Sequence, residues 1–280
     1  MTRFSAIALV LFAATSADAA QKTIERTFTV SPGGALIVDA DSASVRVSGA
    51  DTDQVTVRMT ARGSEDDLAT TKLDAFQKGD EVNLVVRLRA KQGWFSWSSW
   101  DGDGHVEVTV PHRYRINVHT AGGSVELRDT IGAATLRTSG GDIVAKNVAG
   151  DVEAKTSGGG ILANTIRGDV DADTSGGDVR LLHVDGKIRG QTSGGSVQCS
   201  LVGINRGILA TTSGGSIELT LPGNTTAAIE ATSSGGEFSS DIPVATTEFQ
   251  EGHVKGSING GGQSIDLRTS GGGISLRAAH

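Results

Sequence analysis

One cysteine, four prolines and one tyrosine in 280 residues remove several kinds of protein from consideration. A lone Cys199 forms no intrachain disulfide, so this is not a disulfide scaffold. Aromatic residues make up only 4% of the chain and helix-period patterning is nearly absent, which argues against a helical or α/β domain. No apolar stretch beyond the first twenty residues is long enough to span a bilayer. A formal charge of −7 excludes strong sequence-independent attraction to nucleic acid. Enzyme signatures are missing too: there is no Gly-x-Ser-x-Gly elbow, no phosphate-binding glycine loop and no His-Glu-x-x-His. The histidines (His105, His112, His119, His183, His253 and His280) do not cluster with one another or with Cys199. No catalytic, cofactor-binding or metal-ligating residue is therefore expected.

Glycine, with 39 residues, is what the chain has in quantity, and it recurs in a fixed phrase. Thr138-Ser-Gly-Gly, Thr156-Ser-Gly-Gly, Thr174-Ser-Gly-Gly and Thr192-Ser-Gly-Gly follow one another at intervals of 18 residues, with diverged copies at Thr120, Thr212, Ser233 and Thr269. A fixed period of this length marks a solenoid. Counting from each Thr, position five is apolar in every copy, from Val125, Ile143 and Ile161 to Ile274, and position seven in all but the Ser233 copy. A spacing of two is that of a strand with one buried face. A second alternation, as in Val152, Ala154 and Thr156, puts the repeated Thr on the inward side, its hydroxyl bonding the neighbouring turn or the next Thr of the stack. Ser-Gly-Gly is expected to supply a corner with positive φ. The fold class is thus all-β, a single-stranded parallel β-solenoid with coils of about 18 residues that are stable only when stacked.

Three regions follow. Residues 1–19 read as a signal peptide, with Arg3, an apolar run from Phe4 to Ala14 and a small-x-small site at Ala17-Asp18-Ala19, so the mature chain is expected to start at Ala20 or Gln21 and to be periplasmic or secreted. Residues 20–119 read as irregular β structure with one helix, begun by Ser64 and Asp67 and carrying Leu68, Leu73 and Phe76 to about Gln77. Residues 120–280 are the regular solenoid.

The least regular segment, 91–104, holds all three tryptophans. Trp94, Phe95, Trp97 and Trp100 in a Ser/Gly setting form the candidate contact with a ligand or partner, by stacking on sugar rings, entering a headgroup layer or docking a protein; the same side chains also suit a lid folded over the solenoid. Asp101-Gly-Asp103-Gly lacks the later ligands of a calcium loop. Asp169, Asp171 and Asp173 share an outward face, and stacking by 18 predicts Lys155 beside Asp173, Asp169 beside Lys187 and Asp171 beside Arg189. Cys199 occupies a packing column and is expected to be buried. The last coil, Thr269 to Arg277, is expected to present an open edge suited to end-to-end self-association.

The strand Val106-Glu-Val-Thr-Val-Pro111, leading into Ile116-Asn-Val-His-Thr120 and then into iterated Thr-Ser-Gly-Gly-x-Ile/Val coils, resembles the bacterial toastrack domains, also called putative-adhesin domains, of unknown function. The resemblance covers nearly all of the mature chain. It implies an extracytoplasmic β-helix acting as a non-catalytic structural or interaction module of the cell envelope, linked to envelope stress, with an envelope protein or glycan as partner. The alternative is an adhesin-like carbohydrate- or surface-binding module using the Trp segment. A polysaccharide-active β-helix enzyme is a distant third.

Overall fold

A computed structural model describes residues 9–11, 20–88 and 102–279. Most of these lie in strands, and the chain divides into two compact units, Met1–Gly141 and Asp142–His280. Each is built from β-solenoid coils in which a strand of one sheet turns a corner into a strand of a second sheet.

The first unit contains β1 (Leu9–Leu11), β2 (Ala20–Thr29), β3 (Ala35–Ala40), β4 (Ala43–Ala50), β5 (Gln54–Gly63), helix α1 (Glu65–Thr70), β6 (Lys72–Lys78), β7 (Glu81–Arg87), β8 (Asp103–Pro111), β9 (Arg115–Thr120), β10 (Val125–Ile131) and β11 (Ala134–Thr138). Its coils are β3–β4, β7–β8 and β9–β10, and they do not stack in chain order. Strand β3 pairs in parallel with both β7 and β9, and β4 with both β8 and β10, so the first coil lies between the other two. The outer side of the β7–β8 coil is closed by antiparallel strands, β6 on β7 and β5 on β8, with β2 on β5 and β1 on β2. Leu36, Val38, Val45, Val47, Val82, Leu84, Val86, Val106 and Val108 alternate inward as the core.

Helix α1 is shorter than its sequence suggests. Ser64 caps it, its Oγ accepting the Asp67 N–H at 3.2 Å and donating to Asp67 Oδ2 at 2.8 Å. Thr71 then turns extended, and Leu73 and Ala75 bury at strand spacing in β6 rather than extending a helical stripe. Pairing with the whole length of β7 outweighs the loose three-residue helical pattern.

The second unit contains β12 (Ile143–Ala149), β13 (Val152–Lys155), β14 (Ile161–Arg167), β15 (Val170–Asp173), β16 (Val179–Asp185), β17 (Ile188–Gln191), β18 (Val197–Leu201), β19 (Ile208–Thr212), β20 (Ile217–Leu221), β21 (Ala227–Ser233), β22 (Phe238–Ser240), β23 (Ala245–Gln250), β24 (His253–Ile258), β25 (Ser264–Thr269) and β26 (Ile274–Ala278). Ile143 pairs with Ile161, Ile161 with Val179 and Val179 with Val197, which is the 18-residue register read from the repeat. Positions five and seven are buried as expected, including Cys199, except in the Ser233 copy, where Phe238 is half-buried and Ser240 exposed.

The coil β25–β26 is not at the end of its stack. Strand β25 pairs in parallel with β19 and β21, and β26 with β20 and β22, so the last coil in the chain is inserted between two earlier ones. The open C-terminal edge expected at Thr269–Arg277 is therefore absent. What lies beyond β21 is the antiparallel hairpin β23–β24.

The repeated Thr reports the same order. Thr174 Oγ1 donates to Gly159 O, Thr192 to Gly177 O and Thr212 to Gly195 O, at 2.7–2.8 Å. The chain of bonds continues as Thr269 to Gly215 O and Ser233 to Gly272 O, both 2.7 Å. The hydroxyls of Thr192, Thr212, Thr269 and Ser233 also accept an N–H from their own turns, as Gly195 N to Thr192 Oγ1 at 3.3 Å. The turn glycines, however, are not in the positive-φ region. They are needed for close approach, since a Cβ on Gly177 would lie 2.4 Å from Gly159 O and one on Gly195 2.2 Å from Gly177 O.

Candidate functional site

Trp94, Phe95, Trp97 and Trp100 lie outside the described residues, but the attachment of their segment is defined. In sequence it lies between β7 and β8, as the Thr-Ser-Gly-Gly phrases lie between the two strands of other coils. The Leu88 N–H donates to Asp41 Oδ2 at 3.0 Å, and Arg87 is bound to Asp39. A Cβ on Gly104 would fall 2.7 Å from Leu88 Cδ1, so the segment leaves and rejoins the fold at adjacent points.

Its second foot, Asp103, opens β8 at the rim of a shallow open depression of ≈ 170 Å³ lined by Gln21, Arg58, Thr60, Arg62, His105 and Glu107. The register explains the hollow. Arg58, Thr60 and Arg62 alternate outward on β5, between Val57, Met59 and Ala61, which are buried. Thr60 sits opposite Thr23 on β2 and His105 on β8, while Arg58 faces Glu25 and Glu107, and Arg62 faces Gln21 and Asp103. The row of Thr23, Thr60 and His105 thus lies between the rows that carry Arg58 and Arg62.

Donors and acceptors alternate across this face. Arg62 Nε donates to Gln21 Oε1 at 3.2 Å, and its Nη1 lies 3.8 Å from Asp103 Oδ2, which also meets His105 Nε2 at 2.6 Å. Gln21 Nε2 donates to Thr23 Oγ1 at 2.9 Å. Arg58 Nε is 3.5 Å from Glu25 Oε1, and Arg46 Nη1 is 3.7 Å from Glu107 Oε1. The groups are held in place but half exposed, leaving guanidinium N–H groups and carboxylate lone pairs for a ligand. Sequence reasoning missed this face. The alternation on β5 was legible, but its partners come from β2 and β8, far apart in the chain.

The perturbed titratable groups are structural. Burial pushes the Cys199 thiol up to about 12, and Tyr114, raised to about 12 by burial and then by the charges of Asp80 and Glu81, donates to Asp80 O at 2.6 Å. Burial works against the Glu126 carboxylate, but hydrogen bonds from Arg46 and Arg128 outweigh it and hold the group below its usual range. No group of three or more metal-binding side chains occurs among the described residues.

The outward acids also have structural partners. Arg189 Nε lies 3.4 Å from Asp171 Oδ1, as the repeat predicts. Asp169 instead accepts the Lys187 backbone N–H at 2.8 Å, and Asp151 that of Asp169 at 2.9 Å. Lys155 is opposite Asp173 in register, yet its ammonium pairs with Glu153 at 2.7 Å. Asp142 and Asp178 likewise accept from Gly160 and Ser196 one coil on, at 2.8 and 2.9 Å.

The model of the toastrack family DUF4097 matches residues 35–277. A search of the curated proteins finds no match. Among solved structures, the chain is similar to a "putative lipid binding protein" from Parabacteroides distasonis, with 15% identity, 92% of this chain and 97% of that chain covered, and a TM-score of 0.48. It is also similar to a "putative adhesin" from Bacteroides fragilis, at 12% identity, the same coverages and a TM-score of 0.43. A third, a "putative cell adhesion protein" from Clostridium sporogenes, has 13% identity over 92% of this chain and 100% of that one, with a TM-score of 0.27.

Proposed function

Because the chain belongs to the toastrack DUF4097 family, we propose that it works as an exported, non-catalytic interaction module of the cell envelope, and that the outer face of β2, β5 and β8 is its contact surface. The observation that carries this reading is the row of Thr23, Thr60 and His105 set between Arg58 and Arg62, beside the foot of the Trp-bearing segment. Planar guanidinium, amide and carboxylate groups at strand spacing suit the hydroxyl pairs of a glycan, which takes donors and acceptors together. Stacking of sugar rings on Trp94, Trp97 and Trp100 is the second part of the proposal.

Support for a module that binds without reacting comes from how its reactive groups are used. The thiol is protonated and enclosed, and the repeated acids and hydroxyls are bonded from coil to coil. Among the described residues no helix is long and apolar enough to cross a membrane.

The test is retention of the mature chain on peptidoglycan and on a glycan panel. Thr60→Trp, which fills the depression from a half-buried outward position, and the joint change of Trp94, Trp97 and Trp100 to Ser should each lower retention at least tenfold with the melting temperature unchanged. Retention equal to that of the parent in both variants would refute the reading. Mass analysis of exported material should find a start at Ala20 or Gln21.

A further inference from the structure

The inserted coil β25–β26 has an unusual relation to the rest of its unit. All of its ladder partners lie in residues 208–240: Ile208–Thr212 and Ala228–Ser233 flank β25, and Ile217–Leu221 and Phe238–Ser240 flank β26. It takes no strand pairing from the hairpin β23–β24 that precedes it. Ile265, Leu267, Ile274 and Leu276 are buried, so the coil is a core layer and not a surface flap.

Its covalent tie to the hairpin is Asn259-Gly-Gly-Gly-Gln263. Asn259, Gly260 and Gly261 are left-handed, with φ of 47°, 86° and 92°. A Cβ on Gly260 would meet nothing within 4 Å, and one on Gly261 only the Ser257 Cβ at 3.9 Å. The turn is thus unpacked at Gly260 and Gly261, while Gly262 lies close to Thr226, whose carbonyl oxygen a Cβ there would meet at 2.7 Å. It is held by bonds at its ends: Asn259 Nδ2 to Thr225 O at 2.8 Å, and Asn205 Nδ2 to Gln263 O at 2.9 Å. Three successive glycines let the same residues run extended at little steric cost.

The slot must also stay open during folding. Both of its walls precede the inserted coil in the chain, and the coils repeat the same Thr or Ser hydroxyl bond to a glycine carbonyl. A segment that arrives last, carries its own core residues and hangs on a glycine hinge is the arrangement in which identical chains exchange an element.

We propose that the slot between β19–β20 and β21–β22 is a strand-exchange site whose partner in trans is the β25–β26 coil of a second copy of this chain. Exchange about a two-fold axis preserves every ladder bond and every Thr–Gly bond of the slot, because each copy gives and receives the same coil. Only the turn at 259–263 differs between the two forms. This inference is independent of the proposed contact face, which lies on β2, β5 and β8.

Thr220 and Arg277 are Cα partners across β20 and β26, both outside the core, and a Thr220→Cys/Arg277→Cys chain reports which copy fills the slot. The full chain is unfolded, refolded over a hundredfold range of concentration, oxidised and run on a denaturing, non-reducing gel. The expected result is an intrachain bond at low concentration and a covalent dimer whose share rises with concentration. A control pair, Arg180→Cys/Gln198→Cys, joins β16 to β18 away from the slot and should remain intrachain throughout. Deleting Gly260 and Gly261 should favour the dimer at every concentration. Purely intrachain bonding of the Thr220/Arg277 pair at all concentrations overturns the proposal, and does so even if the shortened chain fails to fold. Dimers formed equally by the control pair would also overturn it.

Discussion

Position nine of the repeat shows how a single residue sets the spacing of its coil. Asp129, Asn147, Thr165 and His183 all have φ between 54° and 61°. This left-handed step inserts one outward residue into the strand, so burial resumes at position ten: Ile143, Ala145 and then Val148; Ile161, Ala163 and then Ile166. Neighbouring coils share this step in register, Lys146 opposite Asn164 and Val148 opposite Ile166, so the ladder continues across it unshifted. Asn and Asp adopt the conformation readily, whereas the β-branched Thr165 holds it at a steric cost. Thr165→Asn should raise stability by about 1 kcal/mol in thermal or urea unfolding; a lower midpoint would contradict the strain. Inward and outward positions should also separate cleanly. Ile161→Asp should cost roughly 4 kcal/mol or more through a buried unpaired charge, and Asp171→Ser, which loses one exposed pair with Arg189, under about 1 kcal/mol. Equal melting of the two variants would contradict the assignment of columns. Cys199 should react with thiol reagents only after denaturation, and rapid labelling of the native protein would place it outside the core.

At the scale of the element, the turn glycines matter through contact and not through handedness. Gly177→Ala should destabilise by about 1–3 kcal/mol, because the new methyl meets the Gly159 carbonyl, which belongs to a paired backbone and cannot yield. Unchanged stability would show that the coils can separate at that corner. This is also where sequence reading stopped. Strands and inward faces were legible because their period is local, down to the Thr hydroxyl that bonds the neighbouring turn. The order of coils was not, since coils with the same columns can stack on one another in any sequence, and only the non-local pairings of β3 and β25 choose among them. Nor was the candidate face legible, because β2, β5 and β8 meet only once that order is set. Hydrogen exchange separates the alternatives: amides of β26, paired on both sides, should be protected like those of β16, while those of β23, whose six residues are all exposed and include Phe249 at 76%, should exchange first.

At the scale of the molecule, both units bury a chain-terminal coil inside the stack and place antiparallel strands outside it, at β6 and β5 in one unit and at β24 in the other. A parallel stack grows by accepting one more coil; antiparallel neighbours end that growth in the sheet of β21, whereas the other sheet of the second unit ends on the parallel strand β22. The groups of the β2, β5 and β8 face are fixed by the register of these strands. The Arg46–Glu126–Arg128 cluster adds a pH dependence. Because the folded Glu126 carboxylate titrates below its unfolded value, its contribution is present above the ordinary carboxylate range and is lost as the pH falls through the folded value. Amide NMR of the mature chain titrated with soluble peptidoglycan fragments tests the functional reading most directly. The account predicts shifts concentrated at Gln21, Thr23, Arg58, Thr60, Arg62, His105 and the Trp-bearing segment, and shifts confined to the second unit, or none at saturating fragment, would contradict it.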